Sequence, residues 1–148
     1  SGRFELQLRS AQAASDPHVV AEMFRLDTAG RHSLWSQPLP QRLGPALALV
    51  SDEGSTLLVD EWVKTPSPYA LMVLGPGGET LGTHSMADIA AVSGLSMVEL
   101  VARAQSGPWM SAAPSRTAQP QRVLVQAGGV LLSIDLATGH LAREHANP

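Results

Sequence analysis

Short apolar runs broken by turn-forming residues constrain this chain more than any other feature. From Ala46 to His84 they recur at close spacing. Ala46-Leu47-Ala48-Leu49-Val50 comes first, then Thr56-Leu57-Leu58-Val59-Asp60-Glu61-Trp62, then Tyr69-Ala70-Leu71-Met72-Val73-Leu74, then Glu79 to His84. Between them lie Ser51-Asp52-Glu53-Gly54, a proline-bearing loop from Lys64 to Pro68, and Gly75-Pro76-Gly77-Gly78. Runs this short suit strands better than helices, and Gly and Asp in the gaps supply what a tight reversal needs. The pattern predicts four consecutive antiparallel strands in meander order.

The theme recurs on both sides. Towards the C-terminus, Trp109 to Ala113, Arg122 to Gln126, Val130 to Leu136 and His140 to Glu144 are expected strands. Ala127-Gly128-Gly129 and Ala137-Thr138-Gly139 turn the chain between the last three. Val130–Leu136 is almost wholly apolar, which predicts burial on both faces. His140–Glu144 is short and charged, as a blunted edge strand should be. Near the N-terminus, Phe4 to Arg9 alternates apolar with polar, the mark of a half-buried strand. Val19 to Asp27 and His32 to Ser36 follow it, joined through Thr28-Ala29-Gly30. Pro38, Pro40 and Pro45 make 37–45 an extended, irregular loop.

One stretch breaks the β pattern. Ser85-Met86-Ala87-Asp88 and Ser96-Met97-Val98-Glu99 each place a hydroxyl three residues before a carboxylate, the spacing of a capping box. Gly94 is placed to end the first helix. Met97, Leu100, Val101 and Ala104 fall on one helical face. Two short helices are expected, from about Met86 and over Met97–Ala104.

These elements fit one domain of 148 residues. The expected fold is mostly β: about three antiparallel meander sheets, from units near 4–36, 46–84 and 107–144, with one short helical insert near 86–104. The unit strand, Ser-Asp-Glu-Gly, strand, loop, strand, turn, strand resembles one blade of a β-propeller. Leu132 to Leu141, and Asp135 to Gly139 above all, is similar to the third-to-fourth strand hairpin of bacterial quinoprotein-like and YVTN-like repeats. Ala48 to Trp62 also resembles the strand, turn and Trp-terminated strand of small uncharacterised bacterial proteins. The resemblance implies stacked sheets and carries over no catalytic or ligand residue. Three blades are too few for an ordinary closed ring, so an incomplete propeller or a β-sandwich is expected.

Composition narrows the chemistry. With no cysteine there is no disulfide, thiolate nucleophile or Cys-ligated metal. A net charge of −3 lacks the basic excess of a nucleic-acid binder, so no nucleic-acid partner is expected. No apolar run reaches membrane-spanning length. Lysine occurs only at Lys64, amid abundant Ala, Gly and Pro, which suggests a bacterial source. Export to the periplasm or beyond, with a signal peptide already removed, is one expectation for its location.

Candidate functional residues are few. Asp52-Glu53 and Asp60-Glu61 are adjacent pairs whose carboxylates would point apart on a strand, and Asp52 suits a turn. His18, His32, His84, His140 and His145 show no close zinc-ligand spacing, so no metal and no cofactor are expected. Ser96 lacks the second glycine of a nucleophile elbow and reads as a helix cap. Trp35, Trp62 and Trp109 fall once per unit near strand ends. They are expected to pack between sheets, or else to form an apolar surface for a protein or glycan partner. The leading expectation is a non-enzymatic binding or assembly module. A small hydrolase or metal-dependent enzyme, and a fragment of a larger propeller, are the alternatives. At least one open sheet edge favours a homodimer.

Overall fold

A computed structural model describes residues 4–11, 18–39, 47–59, 69–106, 112–117, 119, 121–127 and 130–144. These form three antiparallel sheets and two helices. The N-terminal sheet runs β1 (Phe4–Ala11), β2 (His18–Asp27), β3 (Gly30–Pro38). The central sheet runs β4 (Leu47–Val50), β5 (Thr56–Val59), β6 (Leu71–Leu74), β7 (Thr80–His84). Helices α1 (Met86–Ser93) and α2 (Met97–Ser106) come next. The C-terminal sheet follows with β8 (Ala112–Arg116), β9 (Arg122–Ala127), β10 (Val130–Asp135) and β11 (Leu141–Arg143), paired in chain order. Each sheet is a meander, as the turn spacing predicted. The N-terminal unit makes the three strands expected of it, and they are longer than those of the other two sheets.

The central sheet lies between its neighbours. All eight residues of β5 and β6 are buried. Leu58, Met72 and Leu74 face the N-terminal sheet and pack with Ala21 and Leu39. Leu57, Val59, Leu71 and Val73 face the other way, onto the helices and the C-terminal sheet. Burial on both faces is what continuous apolar runs dictate. The outer sheets bury one face each, so β9 alternates: Val123, Val125 and Ala127 are buried and the residues between are not.

The N-terminal sheet seats on the turns of the central sheet. The Trp35 indole stacks on Gly78, and Gln37 Nε2 donates to the Gly78 carbonyl at 2.8 Å. The Phe4 ring lies over Gly54. Both glycines adopt positive φ, which completes their turns without strain.

On the other side, Met86, Ile89 and Ala90 of α1 and Leu100 of α2 fill the space between the central and C-terminal sheets. Ser85 caps α1 with a full capping box, and Gly94 ends it in the left-handed conformation. The Ser96 hydroxyl accepts from the Glu99 amide at 3.1 Å. At the sheet margin β7 meets the β10–β11 turn directly: a Cβ on Gly82 would lie 2.6 Å from the Gly139 carbonyl oxygen. The Gly139 carbonyl also pairs with His84 Nε2 at 2.7 Å.

One expectation needs correction. β10 is not buried on both faces: Leu132 and Ile134 are buried, but Leu131 is 39% exposed. Ser133 and Asp135 alternate with the core positions, and that period decides the outcome over the total apolar content. The expected strand from Trp109 to Ala113 lies mostly outside the described residues; within them β8 spans Ala112–Arg116, and its register slips between Ala112 and Ser115. Pro114 lies in that slip; it cannot donate to a ladder and is tolerated because β8 is an edge strand. At the opposite edge, the short β11 is as predicted.

Candidate functional site

Three turns from two sheets converge on a polar cavity of about 390 Å³, lined by Glu53, Gln119, Gln121, Arg122, Ser133, Asp135 and His140. The β4–β5 turn supplies Glu53. Its Ser51 is buried and accepts from the Ser55 amide at 3.1 Å through its hydroxyl. Backbone bonds from Ser51 to Ser55 and from Gly54 to Ser51 close the same loop, which leaves Asp52 and Glu53 exposed at its tip.

The β8–β9 connection supplies Gln119, Gln121 and Arg122. The Thr117 hydroxyl accepts from the Gln119 amide at 3.0 Å and lies 3.1 Å from the Arg122 carbonyl. The Leu136 amide donates to the Gln121 carbonyl at 2.7 Å, tying this connection to the end of β10.

The β10–β11 turn supplies Asp135 and His140. Asp135 Oδ1 accepts from the Ala137 amide at 2.8 Å, an Asx turn, and the Gly139 amide closes on the Asp135 carbonyl. On the strands, Val123, Leu132 and Ile134 point into the core, so Arg122, Ser133 and Asp135 point outward together. Arg122 and Asp135 are direct cross-strand partners. The Arg122 guanidinium is in an ion pair with Glu144. Gln121 Oε1 is buried and has no hydrogen-bond partner among the described residues.

No protein-family model matches this chain, and no curated protein matches it.

Ser133, Asp135 and His140 are the residue types of a nucleophile relay, but the relay is not assembled. Among the described residues the His140 ring bonds to neither Ser133 nor Asp135, and Asp135 Oδ1 is engaged by the Ala137 amide. Among the described residues, no group of three or more His, Asp or Glu gathers where it could hold a metal ion. Two carboxyls are held below their ordinary range, both by local bonds away from the cavity. For Asp27 the main cause is the His32 ring, 3.1 Å away, followed by the Ala29 amide. For Asp88 it is the Ser85 amide, followed by the Ser85 hydroxyl.

Of the tryptophans, Trp35 is half-buried between two sheets, its indole nitrogen buried without an acceptor among the described residues. Trp62 and Trp109 lie outside the described residues, as do Asp60, Glu61 and His145. His32 pairs with Asp27 and His84 with Gly139, each in a local structural contact. Of the cavity residues only Glu53 and His140 were singled out from sequence. Arg122, Ser133 and Asp135 were missed, although the Ala127-Gly128-Gly129 hairpin and its period-two strands carry the signal. Pairing outward from that turn sets Arg122 against Asp135 on the polar face. Gln119 and Gln121 sit in a connection that has no such period.

Proposed function

We propose that this protein is a binding module without enzymatic activity, and that it binds through the cavity between the central and C-terminal sheets. The observation that carries this reading is the convergence of three turns, each closed by its own hydrogen bonds, around a polar-lined volume of about 390 Å³. That volume falls in the range of small-ligand sites, and it also suits a protruding group of a protein or glycan. Turns held by their own bonds lose little entropy when a ligand arrives.

The test is amide chemical-shift mapping of the labelled protein against small probes: amino-acid amides, monosaccharides and simple carboxylates. At least one class should shift Glu53, Gln121, Arg122, Ser133, Asp135 and His140 together and saturably. Shifts confined to other surfaces, or none from any class, would refute the reading.

The fragment-of-a-propeller alternative is disfavoured by the outer face of the N-terminal sheet. There Arg9 pairs with Glu22 at 3.4 Å, and the Ser33 hydroxyl donates to Glu22 at 2.7 Å. Arg31 bonds Gln7, pairs with Glu5 and covers the Phe24 ring. A face tied by exposed ion pairs suits water better than a further sheet. A second reading is self-assembly as a homodimer. β1 is an edge strand of eight residues with no proline and an unbroken register to β2, which leaves an edge a second copy can pair with. Sedimentation across micromolar concentrations tests it, and a constant monomer mass refutes it.

A further inference from the structure

We infer that the group this cavity takes is cationic, an ammonium or guanidinium. The inference rests on the cavity being the binding site.

Glu53 and Asp135 bring carboxylates to the cavity from different sheets. Gln121 also lines the cavity, with its Oε1 buried beneath the surface. Both carboxylates accept, and a bound cation with several N–H donors answers both. The arginine in the wall does not reverse the balance. Arg122 is held by Glu144, so its charge is already matched by a carboxylate outside the lining. Counting these groups, three carboxylates stand against one guanidinium, and His140 adds a donor or an acceptor according to its tautomer.

An anion entering here would meet Glu53 and Asp135 with only a committed arginine to receive it. A sugar can donate hydroxyls to the carboxylates, but none of the lining residues is Phe, Tyr or Trp, so no broad apolar ring face is there to stack on. Charge-assisted N–H···O bonds are stronger than neutral ones, which favours the cation.

The experiment titrates the labelled protein with arginine amide and with citrulline amide, its neutral isostere, both acetylated on the α-nitrogen so that the guanidinium is the one charge in question, and with glucose. Arginine amide should shift the cavity amides saturably, and citrulline amide should bind them about ten-fold more weakly, the ratio expected of a charge-assisted contact. Glu53→Gln changes an exposed turn position and should weaken arginine amide about three-fold, as one partly exposed ion pair would. Equal affinity for the two amides, or no effect of Glu53→Gln, overturns the inference. Glucose or citrulline amide shifting the cavity while arginine amide does not overturns the cation and leaves the binding site standing. Silence from every probe removes both. A Gly-Arg-Gly peptide separates the sources: tighter binding than arginine amide places the cation on a polypeptide partner, and equal binding places it on a free small molecule.

Discussion

Substituting Gly82→Ala tests how the central and C-terminal sheets are held together. Gly82 has no need of glycine's backbone freedom, since its φ lies outside the left-handed region. Its constraint is space. A Cβ would sit 2.6 Å from the Gly139 carbonyl oxygen and 3.2 Å from the Gly139 Cα. These are backbone atoms, so no flexible side-chain tip can swing away. The β10–β11 turn that holds them is closed by the 2.6 Å bond from the Gly139 amide to the Asp135 carbonyl. β7 must therefore move, and its movement stretches the 2.7 Å contact between His84 and the Gly139 carbonyl. Overpacking costs about 1–3 kcal/mol. The strained hydrogen bond adds about 0.5–1.5 kcal/mol. The stiffer unfolded chain of the alanine variant offsets about 0.4–1 kcal/mol.

The expected net loss is about 2 kcal/mol, or about 4–8 °C in Tm for a chain of this size. Urea unfolding gives the loss from the midpoint at constant slope. The double variant with His84→Ala supplies the sharper check. If the clash acts partly by breaking the histidine contact, the two losses combine to less than their sum. A Gly82→Ala protein within about 0.5 kcal/mol of the parent, a surface-like effect, or strict additivity with His84→Ala, would refute the reasoning.

Three further outcomes are expected. Ser85→Ala and Ser96→Ala should each lose about 1 kcal/mol in urea unfolding. Ser85 should lose more, because its capping box is reciprocal: Ser85 donates its amide to Asp88 and accepts the Asp88 amide. Asp88 should also set part of the acid response. Its folded carboxyl titrates below the ordinary 3.8, so its contribution is full above that value and is lost as the pH falls through the lower, folded one. Stability measured from neutral pH into the acid range should fall less steeply for Asp88→Asn than for the parent, and parallel curves would refute this. Leu132→Ala removes a fully buried side chain facing the helices and should cost about 2–5 kcal/mol. A loss under about 1 kcal/mol, below the range for buried leucine, would show that the site collapses freely.

The strand order was legible because each turn announces itself locally. Gly54, Gly78, Gly94 and Gly139 all take the positive φ their positions in the sequence suggested. The helix caps were legible for the same reason, since Ser85 and Ser96 act within three residues of themselves. Which faces meet was less legible. Residues 56–59 and 130–136 read as similar apolar runs, yet only the first is buried on both sides. The difference lies in Ser133 and Asp135, two polar positions whose shared parity exposes one face of β10. The cavity was harder still. Its walls come from residues 53, 119, 121, 122, 133, 135 and 140, and only tertiary packing brings Glu53 to the others.

The same packing explains why polar groups collect where they do. The two inner strands of the central sheet, β5 and β6, are buried on both faces and almost wholly apolar, so they offer no polar side chain to a site and the sheet contributes to the cavity through its β4–β5 turn. The N-terminal sheet packs directly on it, with Trp35 and Phe4 covering Gly78 and Gly54, and leaves little space there. On the other side α1 and α2 stand between the sheets and hold them apart over part of their area, while Gly82 and Gly139 draw them into contact at β7. The open space is left beyond that contact, bounded by the β4–β5 turn on one side and the turns of the C-terminal sheet on the other. His140 follows Gly139 in sequence, so the seam that fixes the sheet spacing also fixes one wall of the cavity. The Gly82→Ala substitution should therefore disturb the amide signals of Asp135 and His140 as well as stability, although Gly82 is not among the residues that line the cavity.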